Sequence, residues 1–282
     1  LASQVKKLIL LTANQYSLML AVMLGRYHRQ QKQDNKILTT MKNLTIFLLT
    51  LAALSSYGQD KTKETPTADF KRVQFGINVS PDICFRTLKN NDGSSTSDLI
   101  VERNNKNETI KVGYTAGLNV CFNIKKFVGL ETGIQYSNRG YQTKMRDLVY
   151  AQPEPSAPNR VKLIYNFHCI DIPVKANFTI GKKKVRFFTS VGVTTNIFIT
   201  ETQTSVLIYS DRTDRKTSPT NIDYNKVNIS PTISVGIDFK INSRMNLRVE
   251  PTFRYGVLKI IDAPVTGYLY SAGLNIGYYF GL

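Results

Sequence analysis

The chain of 282 residues is 42% hydrophobic and 10% aromatic, and its 37 Lys and Arg against 20 Asp and Glu give a formal charge of +17. Two His and three Cys, with no Cys-x-x-Cys pair, exclude a His-rich metal site and a disulfide framework. The positive charge falls on turns and loops instead of one helix face, so no nucleic-acid partner is expected.

In chain order, residues 1–40 precede a complete export signal and read as an over-extended N-terminus outside the fold. The stretch MKNLTIFLLTLAALSSYGQD, Met41 to Asp60, opens on the positive charge of Lys42. It continues through a short apolar run to the small-residue pattern Ser56-Tyr57-Gly58 ahead of Gln59. Residues 41–58 are therefore expected to be a cleaved signal peptide, with Met41 as the start. Its apolar run is shorter than the roughly twenty residues that a membrane-spanning helix needs. Residues 59–69 read as a polar tether.

Residues 70–282 have a period of two, apolar on one parity and small or polar on the other, in eight successive segments. In the first, Val73, Phe75, Ile77 and Val79 alternate with Gln74, Gly76, Asn78 and Ser80. The others follow at about 112–122, 128–139, 170–180, 185–199, 225–240, 244–257 and 265–281. Links near 123–126, 181–184 and 241–244 are short, those at 89–110, 142–162 and 201–223 are long, and 259–264 is intermediate. Alternating link lengths predict an all-β fold, an eight-stranded antiparallel up-and-down transmembrane β-barrel with both termini on the short-turn side.

Alternation alone does not say which parity faces out, since a soluble ligand-binding barrel has the same period with apolar residues inside. The polar parity here is Gly, Ser, Thr and Asn, punctuated by Glu131, Arg139, Asp171, Lys175, Asp238, Arg248, Glu250 and Arg254. Small residues and ions of both signs suit a crowded lumen in which charges pair. The apolar parity is accordingly assigned to lipid. Tyr114, Phe122, Tyr136, Phe178, Phe239, Phe253, Tyr255, Tyr268, Tyr270, Tyr278 and Phe280 share it near strand ends, as aromatic girdles would. Pro81, Pro173, Pro231 and Pro251 fall inside predicted strands and call for bulges or strand ends outside the membrane.

The final residues, Asn275-Ile276-Gly277-Tyr278-Tyr279-Phe280-Gly281-Leu282, resemble the carboxyl-terminal signal of outer-membrane barrels. The resemblance implies that Asn275, Gly277, Phe280 and Leu282 are read by the barrel-assembly machinery, although the last residue is Leu where Phe is commonest. The stretches FGINVSPDICF, GLETGIQYSNRGYQ, CIDIPVKANF and LRVEPTFRYGV resemble the strands of the PorT-like family of small outer-membrane β-barrel proteins. The likeness is closest at Glu131-x-Gly133, Tyr136-Ser137, Gly140 and Ile170-Asp171-Ile172-Pro173. It covers the mature chain and implies a Gram-negative cell outer membrane and, for some relatives, assistance to protein secretion. No residue here carries that secretion role over.

Residues that point to catalysis are few. His168 is the only His after the signal, and Asp171, three residues on, faces the other side of a strand. An interfacial or loop His is the expectation, with an outer-membrane hydrolase or acyltransferase as the competing reading. Eight strands leave an interior filled by side chains, which disfavours a channel. Cys84 and Cys121 share the inward parity near opposite ends, so no disulfide is expected. The predicted role is structural or interactive, non-enzymatic and without a cofactor. Expected partners are outer-membrane lipid, the assembly machinery, and a surface protein or polysaccharide at the long loops.

Overall fold

The computed structural model describes residues 71–152 and 156–282. Residues 1–40, the signal at 41–58, the tether at 59–69 and Pro153-Glu154-Pro155 lie outside the described residues. Eight long strands form the barrel wall: β1 Val73–Asn90, β2 Lys111–Lys125, β3 Val128–Thr143, β4 Arg160–Ile180, β5 Val185–Ile208, β6 Val227–Lys240, β7 Met245–Tyr255 and β8 Val265–Gly281. Each pairs antiparallel with its neighbours in sequence, and β8 returns to β1 from Gln74↔Gly281 to Asn90↔Val265, which closes the ring. Closure removes the unpaired edge that an aromatic last strand would otherwise expose.

The alternation has the predicted sense. Ile77, Leu118, Ile134 and Val174 are 59, 64, 64 and 51% exposed on the outer face, whereas Asn78, Asn119, Gln135 and Lys175 beside them are at most 6% exposed. A water-soluble protein does not display so continuous an apolar band. A bilayer covers it. Along β4 and β5 the band ends near Ile170 and Ile199, beyond which the outward residues turn polar at His168, Thr200 and Thr202. Phe122, Phe178, Phe239 and Tyr278 lie towards the short-turn edge of the band, and Tyr114, Tyr136, Tyr255 and Tyr270 towards the other.

The prolines are accommodated differently from the expectation. On one side each keeps its partner: Pro81↔Tyr114, Pro173↔Thr194, Pro231↔Val193 and Pro251↔Leu274. On the other side a ladder skips. Pairing passes from Val79↔Ile276 to Asp82↔Gly273, from Thr132↔Val174 to Gln135↔Asp171, and from Val249↔Ile237 to Thr252↔Ser234. Both strands advance three residues across each gap, so the register is unchanged and no bulge is present. At Pro231 the β6–β7 ladder simply ends, at Arg254↔Thr232. The missing N–H therefore interrupts one ladder locally while the other holds the strand.

The long links are more ordered than their polarity suggested. The first contains a helix, α1 Ser95–Asn107, whose N-cap Ser94 accepts a hydrogen bond from the Ser97 N–H at 3.2 Å. Asp98 in its first turn, Lys106 in its last and the Glu102–Lys106 pair at i,i+4 complement the helix dipole. β4 and β5 begin and end further out than predicted, so residues 160–162 and 201–208 are strand and not loop. A further strand, Thr213–Pro219, pairs with β5 and makes the extension a three-stranded ribbon. Two-residue strands Glu108–Thr109 and Arg146–Asp147 complete the outer end.

Candidate functional site

Every wall strand turns its polar parity inward, which brings the eight predicted ionic residues into one lumen. At its centre Glu131, with no exposed surface, accepts hydrogen bonds from Arg248 Nη1 at 2.8 Å, Asn177 Nδ2 at 2.8 Å and the Tyr279 hydroxyl at 3.2 Å. The Lys175 ammonium lies 2.9 Å from the other Glu131 oxygen and 3.6 Å from Glu250. Glu250 also accepts from Asn275 Nδ2 at 2.8 Å and from the Ser234 hydroxyl. The Arg248 guanidinium is clasped between the Phe188 and Tyr279 rings at 3.9 and 4.1 Å, and reaches Asp238 at 3.5 Å.

Nearer the outer end, Arg139 pairs with Asp171, which also accepts from Asn196 Nδ2 at 2.6 Å. Arg254 lies 3.4 Å from Asp82, whose second oxygen takes the Thr115 hydroxyl at 2.6 Å. Towards the short-turn end, Arg186 donates to Asp238 at 3.1 Å. Arg139, Lys175, Arg186, Arg248 and Arg254 thus face Asp82, Glu131, Asp171, Asp238 and Glu250, and every member has a partner of opposite sign within the lumen. Lone ions there would cost several kcal/mol each, about 3–5 kcal/mol when a buried pair is broken.

Asp82 and Arg186 belong to this balance although their charge was not singled out in the sequence. The signal was available, since Asp82 continues the Gln74, Gly76, Asn78, Ser80 parity. Two aromatics in the lumen were also missed. Tyr279 and Phe188 are fully buried, on a parity that is otherwise polar. Gly76 and Gly277 make room for Tyr279, because a Cβ at either would lie 2.6 Å from its ring.

Above the ions the inward residues become apolar. Tyr141, Phe167, Tyr224, Ile260 and Leu269 form a buried cluster, joined by Phe85, Tyr165, Phe198 and Ile261. Tyr141 stacks on Tyr165 at 4.7 Å, Tyr224 meets Phe167 edge-on at 5.1 Å, and the Arg86 guanidinium covers Tyr141 at 3.7 Å while pairing with Glu108. Two loops supply Tyr224 and Ile260, and they are tied together by the Asn225 N–H to the Ile260 carbonyl at 3.0 Å. Beneath this cap a cavity of about 30 Å³ remains beside Arg139 and Asn196, room for no more than a water or two. Glu201, also buried, accepts from the Thr220 hydroxyl. Burial pushes its carboxyl up to about 7, against the pull of the Tyr224 hydroxyl.

Among the terminal residues, Asn275 is inside, bonded to Glu250 and accepting from Asn78 Nδ2 at 2.9 Å. Gly277 also faces in, Phe280 faces out, and exposed Leu282 donates its N–H to the Val73 carbonyl at 3.1 Å. His168 sits on the outer face at the girdle, against the Tyr136 hydroxyl at 2.5 Å and the Thr202 hydroxyl at 3.2 Å. Asp171 is inside the wall. Cys84, Cys121 and Cys169 are free and buried.

A sequence profile described as an outer membrane protein beta-barrel domain matches residues 57–262. No curated protein matches. Solved structures similar to this chain include Neisserial surface protein A, at 10% identity over 74% of this chain and 97% of that one, with a TM-score of 0.39. Others are the outer membrane protease OmpT from Escherichia coli, at 8% identity, 79 and 100% coverage and 0.37, and OprG from Pseudomonas aeruginosa, at 10%, 76 and 99% and 0.35.

Proposed function

The chain belongs to the outer membrane protein beta-barrel domain family, and from that premise we propose that it is a closed, non-catalytic scaffold presenting an interaction surface outside the cell. The protein resides in the outer membrane and crosses it with eight strands. The observation that carries the proposal is the filled lumen: ten ionic side chains paired with one another, under an aromatic cap. A conducting pore keeps unpaired polar surface along a water path. Here that surface is spent internally.

The surface that remains for a partner is the outer extension, α1 together with the ribbon of upper β4, upper β5 and Thr213–Pro219. Every residue of Thr213–Pro219 is exposed, and the strand lies beyond the membrane band. A protein or surface polysaccharide is the class of ligand that suits it. The finer assignment to the PorT-like family rests on the resemblance stated above. Its Glu131 and Asp171 are the hubs of the two ion clusters, so these residues support the barrel and not a secretion-specific chemistry.

Planar-bilayer recording on the refolded barrel tests the proposal. We expect no resolved unit conductance, and reproducible conductance steps from the unaltered barrel would overturn it. The hydrolase reading is tested separately by His168→Ala. Lipid A composition and outer-membrane proteolysis are expected to be unchanged, because His168 faces the lipid boundary with hydroxyl partners and no carboxylate.

A further inference from the structure

Outside the lumen, charge is segregated by end. At the short-turn end the described residues carry Lys71 and Arg72 before β1, Lys125 and Lys126 around the β2–β3 turn, Lys182 to Lys184 between β4 and β5, and Lys240 and Arg244 around the β6–β7 turn. Among the described residues, no Asp or Glu outside the lumen accompanies these nine cations. The nearest acid among the described residues, Asp238, faces inward and is held by Arg186 and Arg248. At the opposite end the signs are mixed and locally paired, as in Glu102–Lys106, Arg212–Asp214 and Lys259–Asp262.

The basic end is not simply a solvated rim. Exposed apolar residues interrupt its turns: Ile124, Phe127, Val185 and Ile241 are 66, 56, 53 and 46% exposed. Cations interleaved with such residues fit a membrane interface, where the apolar groups sink and the long basic stems reach the headgroups. A soluble acidic protein would leave those four residues in water.

Just above the Lys71–Arg72 and Lys125–Lys126 positions, the outer face of β8, β1, β2 and β3 is hollowed into an apolar groove of about 590 Å³, walled by Phe75, Ile77, Leu118, Ile134, Tyr278 and Phe280. Three to eight residues separate the groove from these cations along the strands, roughly 10–26 Å at about 3.3 Å per residue. One leaflet's hydrocarbon is about 15 Å deep, half the bilayer core. A lipid tail in the groove would therefore hold its headgroup at the level of the cations.

We propose that the short-turn end is a binding surface for anionic phospholipid of the periplasmic leaflet, with an acyl chain in this groove and its phosphate on Lys71, Arg72, Lys125 and Lys126. The inference rests on the outer-membrane placement of the barrel and is independent of whether its lumen conducts. Electrostatic attraction of this kind weakens with salt.

The test uses the mature barrel refolded in phosphatidylcholine vesicles that contain a trace of spin-labelled phosphatidylglycerol or spin-labelled phosphatidylcholine. The motionally restricted fraction of each label gives their relative association. Phosphatidylglycerol is expected to be favoured about threefold or more at low salt, and the preference is expected to fall towards unity in about 0.5 M salt. Combined Lys71→Gln, Arg72→Gln, Lys125→Gln and Lys126→Gln substitution should remove most of it, with folding checked by the gel shift on boiling. Arg212→Gln, Arg215→Gln and Lys216→Gln at the other end should leave it intact.

Equal association of the two lipids with the unaltered barrel overturns the proposal without bearing on conductance. A preference that survives the fourfold substitution overturns the site. Trypsin supplies the leaflet: cleavage at 182–184 only after the outer membrane is permeabilised supports the periplasmic assignment. Cleavage on intact cells would overturn it and transfer the cations to the phosphates of lipid A.

Discussion

The middle of the barrel and its outer mouth are filled by opposite chemistries, although the same strands build both. Along β4, Lys175 and Asp171 point inward in the membrane, but Phe167 points inward above it. β5 passes from Ser190, Thr194 and Asn196 to Phe198, and β3 from Glu131, Gln135 and Arg139 to Tyr141. The difference follows from what lies outside the wall. Where lipid covers the outer face, apolar side chains go out and the lumen receives the polar parity. Where water covers it, the inward side becomes an ordinary aromatic core. One strand thus reverses its meaning without reversing its phase, except at β5. There pairing steps from Cys169↔Phe198 to His168↔Thr200, and the bulge at Ile199 turns Glu201 inward.

If the two regions are separately stabilised, damage to each should be felt differently. Glu131→Ala should have the largest effect, about 3–5 kcal/mol, because Arg248 loses its closest carboxylate and Lys175 is left with the more distant Glu250. The loss should appear in global urea unfolding of the reconstituted barrel, with all strands melting together. Phe167→Ala should cost about 3 kcal/mol and act locally. Exchange of the Asn225 amide, which bonds across the mouth loops to the Ile260 carbonyl, and of the Ile260 amide, which donates to the Gly267 carbonyl, should quicken while the membrane strands keep their protection. Equal loss of protection throughout would merge the two regions into one cooperative unit.

A smaller, titratable difference belongs to the mouth alone. The folded Glu201 carboxyl stands at about 7 against an ordinary 4.5, so the fold favours its neutral form. Its contribution is complete below about 4.5 and is lost as pH rises through about 7. The Thr220 amide, which donates to the Glu201 carbonyl at 3.1 Å, should therefore lose protection across that interval. Glu201→Gln should flatten the response. The smallest effect is expected from Ser94→Ala, about 1 kcal/mol through loss of the N-cap. It should be visible as fraying of α1 by hydrogen exchange, with no change in barrel unfolding.

The membrane half was legible from sequence because a two-residue period in lipid leaves little freedom. Once Ile77 and Leu118 face acyl chains, Asn78, Asn119 and Glu131 must face one another. Less legible were features set by partners distant in sequence. Tyr279 and Phe188 break the polar parity because Arg248 needs ring faces, and no local pattern announces that. Upper β4 and β5 looked like loop because their outward residues are no longer apolar. α1 had a readable start in Ser94 and Asp98 and an i,i+4 pair in Glu102 and Lys106, but a mean composition of Asn, Ser and charge hid them. The prolines were misjudged by assuming that a strand needs both ladders at every residue, when one suffices.

The junction of β1 with β8 differs from the other seven in a way that matters for how the protein is made. Elsewhere, neighbouring strands are joined by local links. Here Asn78 meets Asn275 across 197 positions. Adjacent hairpins can form early, but this seam carries the full entropic penalty of bringing distant residues together. The cylinder is therefore expected to zip from hairpin to hairpin and to lock at Gln74–Gly281 last, so that removing the final stave would leave an open gutter in the bilayer and not a narrower tube.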